Sequence, residues 1–176
     1  MFLAIDASTE TCSVALGEHD RWLEHSQAAG QRHAELLLPM IKALLARGGI
    51  ELPQLAGIAF GAGPGSFTGL RVACGVAQGL SLGADLPLVG VSTLEAVAET
   101  LRRRDGSSRV VAALDSVRER FAGWHADILP SATAVGVLSQ PRFEAGEGVA
   151  ARDAHPIYVR HRVALTTAER EAGLSR

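Results

Sequence analysis

The stretch that most constrains this chain is Gly61-Ala62-Gly63-Pro64-Gly65-Ser66-Phe67-Thr68-Gly69-Leu70-Arg71. It follows a short apolar run, Gly57-Ile58-Ala59-Phe60, that reads as a buried strand. It leads into a small-residue helix that runs to about Leu82. Glycine permits positive φ and close backbone approach, and proline fixes φ, so the stretch is a sharp strand-to-helix turn. Ser66 or Thr68 can cap the helix. The helix start then points free N–H groups and the positive end of its dipole at whatever lies above the turn. Gly63, Gly65 and Ser66 are therefore candidates for an anion cradle; a tight connector that binds nothing has the same spelling. It is not a Walker loop, because no Lys-Ser or Lys-Thr pair follows the last glycine. Arg71 sits in the first helical turn, where the dipole disfavours a cation. It reads either as the mark of a bound anion or acidic partner, or as a solvated arginine.

The chain has 176 residues, 47% of them hydrophobic, enough for one core or for one domain with a small appendage. Its net charge is −2 with acids and bases interspersed, which lacks the basic stripe of an independent nucleic-acid binder. Cys12 and Cys74 each lie in an apolar stretch and form no C-x-x-C, as reduced core cysteines of a cytosolic protein do. No signal-peptide pattern and no run of about 18 apolar residues occurs, so a cytoplasmic, membrane-free location is expected.

Phe2-Leu3-Ala4-Ile5 is a short strand ending on Asp6, Cys12 to Leu16 alternates with period two, and Trp22 to Gln27 reads as a third strand. The short turns between them make an antiparallel meander. His33 to Arg47 is helical, with Pro39 expected to kink it or open its first turn and Gly48-Gly49 ending it. After the glycine turn and second helix come a strand at Leu88 to Val91 and a capping box, Ser92-Thr93-Leu94-Glu95, opening a helix to about Arg104. Asp105 to Ser108 is a linker. The order βββαβαβα over residues 1–105 predicts a mixed sheet flanked by helices. By analogy this is a ribonuclease-H-like half-domain, the unit of the actin, Hsp70 and sugar-kinase superfold. Residues 109–165 read as a shortened second lobe, with strands at Val110 to Asp115, Phe121 to Asp127, Ala134 to Leu138 and Pro156 to Arg160. Residues 166–176 read as a mobile tail.

Asp6 and Asp115 each end a strand and could together hold Mg²⁺ for a small-molecule kinase or ATPase; solvated strand-end acids have the same appearance. The six histidines include no i, i+4 pair, so no metal site is expected, and no catalytic set can be assembled. The second helix carries Gly75, Gly79 and Gly83 at a spacing of four. Each helical glycine costs about 1 kcal/mol relative to alanine, so another backbone must approach, either this chain's own or a partner's. The first helix has a wide apolar stripe with Leu36, Leu37, Met40 and Leu44, where methionine suits a surface meeting two partners. His33, Arg71 and Val76 complete the candidate interface. Leu37→Glu or Met40→Glu is then expected to disrupt pairing and leave the fold intact.

The blocks FLAIDASTETCSVAL, HAELLLPMI, GAGPGSFTGLRVACGVAQGLSLG, LVGVSTLEAVA and HPIYVRHRVA together resemble the TsaB (YeaZ) family. The resemblance is in order over residues 1–115 and returns at 155–164. It implies a non-catalytic partner of a TsaD-like paralogue, which transfers a threonylcarbamoyl group to N6 of adenosine 37 in tRNAs reading ANN codons. It further implies a TsaE-like ATPase in the complex, a homodimer when the chain is alone, and tRNA contact only through the complex. ATP and a metal ion belong, on this resemblance, to the partner subunits. Kinases and ATPases of the superfold read Asp-x-Gly-Thr where this chain has Asp6-Ala7-Ser8-Thr9, with Glu10 near the phosphate position. The metal-binding His-x-x-x-His of the catalytic relatives aligns with Thr93 and Val97. Family members usually carry a longer second half, with a glycine- and aromatic-rich strand where this chain has Ser116-Val117-Arg118-Glu119-Arg120.

Overall fold

The computed structural model describes residues 1–110, 112 and 128–158. In chain order the elements are β1 (Phe2–Asp6), β2 (Thr11–Glu18), β3 (Arg21–Ala28), α1 (His33–Gly48), β4 (Gly57–Gly63), α2 (Phe67–Ala84), β5 (Leu88–Ser92), α3 (Thr93–Asp105) and α4 (Ala132–Glu144). The strands form one mixed sheet in the order β3-β2-β1-β4-β5. The first three pair antiparallel, and β1–β4 and β4–β5 pair parallel. The polar turns after β1 and β2 have room only for hairpins, whereas α1 and α2 carry the chain back for parallel pairing.

Period-two alternation splits the strands between two cores. Leu3, Ile5, Val14, Ile58 and Phe60 share one cluster with Leu37, Met40, Ile41 and Leu44 of α1 and Ala73 and Ala77 of α2. Ala4, Ala15, Ala59, Val89 and Val91 share the other with Ala96 of α3 and Ala132, Ala134 and Val135 of α4. The alanines on this second face let α4 lie close, and Gly136 has no side chain because the Trp22 ring fills that space.

Three expectations are corrected. Ala134 to Leu138 is not a strand but the first half of α4. β-branched Val135 and Val137 look extended on propensity alone, but Ser131 caps the helix by accepting the Ala134 N–H at 3.1 Å, and the alanine face rewards a helix. Of the strand read at Pro156 to Arg160, Val159 and Arg160 lie outside the described residues, and among the described residues Pro156 to Tyr158 joins no strand; a bond from the Ile157 N–H to the Ala62 carbonyl (2.7 Å) ties it to the end of β4. The capping box at Ser92 does not form: Ser92 closes β5 and its side chain makes no cap bond. Pro39 lies within α1, which continues through it as one helix. The strands read at Val110 to Asp115 and Phe121 to Asp127, and the tail, fall wholly or largely outside the described residues.

Candidate functional site

The glycine turn meets this chain's own first hairpin. Ser66 caps α2 by accepting the Gly69 N–H at 3.2 Å, and its own N–H donates to the Ser8 carbonyl at 2.7 Å. A Cβ on Gly65 would lie 2.5 Å from that same carbonyl, and one on Gly69 would overlap the carbonyl of Ala7. A Cβ on Gly61 would overlap the Asp6 carboxylate. Gly63 needs its positive φ of 114° to turn the chain, between Leu70 and the Ile157 carbonyl. Thus Asp6, Gly63, Gly65 and Ser66 come together at the C-terminal end of β1 and β4, with backbone of Ala7 and Ser8 in the concavity of the turn. Asp115 lies outside the described residues.

Asp6 is 1% exposed. Its Oδ1 accepts the Ser8 N–H at 3.1 Å and the Ser8 hydroxyl at 2.9 Å. Opposite it on β2 stands Ser13, whose hydroxyl accepts the Ala132 N–H at 3.0 Å. Glu24 on β3 accepts the Thr133 N–H at 3.1 Å. The first turn of α4 is therefore spent on this polar end of the sheet. No group of three or more His, Cys, Asp or Glu among the described residues could hold a metal ion. Thr93 is buried with no partner for its hydroxyl among the described residues, and Val97 is half-buried.

Burial pushes the Asp6 carboxyl up to about 7; the Ser8 bonds offset this only in part, and the Glu24 charge adds to it. A carboxyl whose native value exceeds its unfolded one costs nothing below the unfolded value near 3.8. The cost grows as pH rises toward about 7 and is constant above that. Asp6→Asn keeps an acceptor for Ser8 and removes the charge. The variant is expected to match the native protein at pH 4 and to exceed its stability by on the order of 4 kcal/mol at pH 8. Urea melts across that range check this; parallel stability curves for the two proteins contradict it.

The α1 residues are not where a docking stripe needs them. Leu37, Met40 and Leu44 belong to the core, and His33 is buried with Nε2–H donating to the Thr9 carbonyl at 2.8 Å. Leu36 is half-buried against the same core. A glutamate at position 37 or 40 therefore strikes the fold before any partner, which corrects the expectation for those substitutions. The stripe at i, i+3, i+4 and i+7 is only as wide as the sheet face that it covers. The exposed large apolar residue on α1 is Leu38.

The outward face of α2 differs. Gly75, Gly79 and Gly83 are exposed, and a Cβ on any of them would meet nothing within 4 Å among the described residues. Neither the sheet nor α1 explains these glycines. Beside them Leu82 is 81% exposed and Phe67 53%, while Val76 packs against the core. Arg71 lies over the Phe67 ring, 3.8 Å from its centroid, and its Nε–H donates to the Tyr158 hydroxyl at 3.0 Å. Phe67, Leu82 and Tyr158 escaped the sequence reading; Phe67 four residues before Arg71 was the local signal for a cation–aromatic pair.

The family profile described as "TsaD: tRNA N6-adenosine threonylcarbamoyltransferase" matches residues 25–124. A solved structure, "YeaZ from Pseudomonas aeruginosa", superposes with a TM-score of 0.81 at 31% identity, covering 90% of this chain and 99% of that one. The chain belongs to the TsaD family, among its TsaB (YeaZ) members. Curated TsaB relatives agree. "tRNA threonylcarbamoyladenosine biosynthesis protein TsaB" of Escherichia coli is 46% identical over 114 residues, 65% of this chain and 49% of the relative. The protein of the same name in Haemophilus influenzae is also 46% identical, over 65% of this chain and 48% of its own length. The chain thus spans about half the length of the curated TsaB relatives that it matches. The five-stranded mixed sheet flanked by helices is the ribonuclease-H-like, actin and Hsp70-type fold expected of a TsaB chain. Among the described residues no helix is long and apolar enough to cross a membrane.

Proposed function

We propose that this chain is a non-catalytic partner of a TsaD-like threonylcarbamoyltransferase. In this reading it helps that enzyme form N6-threonylcarbamoyladenosine at position 37 of tRNAs reading ANN codons, in the cytoplasm. It contacts tRNA only through the complex, associates with itself when alone, and leaves ATP and metal chemistry to the TsaD-like and TsaE-like subunits. The observation that carries the reading is the outward face of α2, where three glycines stand open with no neighbour within 4 Å of a built Cβ among the described residues. A helix gives up about 1 kcal/mol at each glycine relative to alanine, a cost that a closely packed partner helix offsets. The polar end of the sheet supports the non-catalytic half of the reading. The glycine turn is filled by Ala7 and Ser8, and the first N–H groups of α4 are committed to Ser13 and Glu24. A small-molecule kinase using Asp6 and Asp115 needs that space for phosphate.

Co-purification of the full chain with the TsaD-like paralogue of the same organism tests the proposal. A stable complex is expected. Failure to capture the paralogue, together with ATP turnover by the chain alone that Asp6→Ala abolishes, favours the kinase reading instead.

A further inference from the structure

We infer that Arg71 is the charged anchor of the docking face, and that it pairs with a carboxylate on the partner element lying along Gly75 and Gly79. The inference rests on the docking reading above and names the chemistry that the partner must bring. Arg71 is the one charged residue in α2. It is the fifth residue of the helix, just past the first turn in which the dipole disfavours a cation. A freely solvated arginine there would keep its rotamer freedom; this one is fixed. Its guanidinium stacks on Phe67 at 3.8 Å and is steered by the Tyr158 hydroxyl at 3.0 Å. Among the described residues Nε is the only guanidinium nitrogen committed to a hydrogen bond, and no ion pair involves Arg71. The two terminal nitrogens form an open fork of the geometry that a carboxylate fills with two parallel bonds.

Position supplies the rest. Arg71 precedes Gly75 by one helical turn on the same face, so an element close to the glycines passes beside the fork. A shallow hollow of about 190 Å³ runs between them, lined by Arg71, Gly75, Gln78, His155 and Tyr158. No carboxylate of the described residues lines it. A rigid arginine framed by exposed aromatics is the usual composition of an energetic anchor at a protein interface.

The test is calorimetric titration of the full chain with the TsaD-like paralogue, alongside thermal melts. Arg71→Ala is expected to weaken the complex about 30-fold and Arg71→Lys by less, because lysine restores charge without the fork. Arg71→Glu should lose binding and regain it when the facing acid of the paralogue becomes arginine. All three should melt with the parent, since Arg71 is exposed. Parent-like affinity of Arg71→Ala and Arg71→Glu overturns the inference and leaves the docking reading standing. An unaltered paralogue affinity with loss confined to RNA binding or to self-association also overturns it. A native chain that does not bind the paralogue defeats both.

Discussion

Leu37→Glu is expected to leave the protein without a cooperative unfolding transition at 25 °C. Leu37 is fully buried on α1, in one cluster with Leu3, Ile5, Val14, Met40 and Leu44. Truncating such a leucine costs about 2–5 kcal/mol. A carboxylate in the same place must ionise in an apolar surrounding or hold a proton at neutral pH, which adds several kcal/mol. Together these approach the whole stability of a domain this size, about 5–15 kcal/mol. Leu38→Glu is the matched control: Leu38 is half exposed, so that variant should stay within about 0.5 kcal/mol of the parent. Circular dichroism during urea titration separates the two. A parent-like midpoint for Leu37→Glu would place α1 the other way round on the sheet.

That result also marks where the sequence was legible. Strands β1, β2, β4 and β5 announce themselves through apolar runs or period-two alternation bounded by turn residues, so the mixed sheet could be anticipated. α4 could not. Ala-Thr-Ala-Val-Gly has neither a helical stripe nor strong helix propensity; the bare alanine face of the sheet makes it a helix, and that face is assembled from three distant strands. α1 shows the opposite failure. Its stripe was plain, but whether a stripe faces core or partner depends on what packs above it, which no local pattern records.

The glycine turn was legible as a turn and as a neighbour of Asp6. That the backbone of Ala7 and Ser8 would fill it was not, because a carbonyl leaves no trace in residue identity. On α2 the four-residue glycine spacing was visible, yet only the fold shows that a Cβ at any of the three would meet none of the described residues. The arginine clamp needed a partner 87 residues away, so sequence exposed the cation and hid its cage.

The open glycines therefore bear the central claim, and they permit a test in which stability and docking move in opposite directions. A Cβ added at Gly79 meets nothing within 4 Å among the described residues, so the helix gains from losing its glycine: about 0.8–1 kcal/mol for Gly79→Ala, and nearly as much for Gly79→Leu. Against a partner helix the same leucine is an obstruction, because the backbone that glycine admits can no longer approach. A destabilised fold cannot mimic this outcome, and a tag or surface-charge effect would not separate alanine from leucine.

The decisive measurement is titration of the TsaD-like paralogue with the native chain, Gly79→Ala and Gly79→Leu, with a thermal melt of each. The account predicts that Gly79→Leu melts at or above the native temperature and binds at least about 100-fold more weakly, a loss near 2.7 kcal/mol. A Gly79→Leu chain that binds the paralogue as tightly as the native one contradicts it.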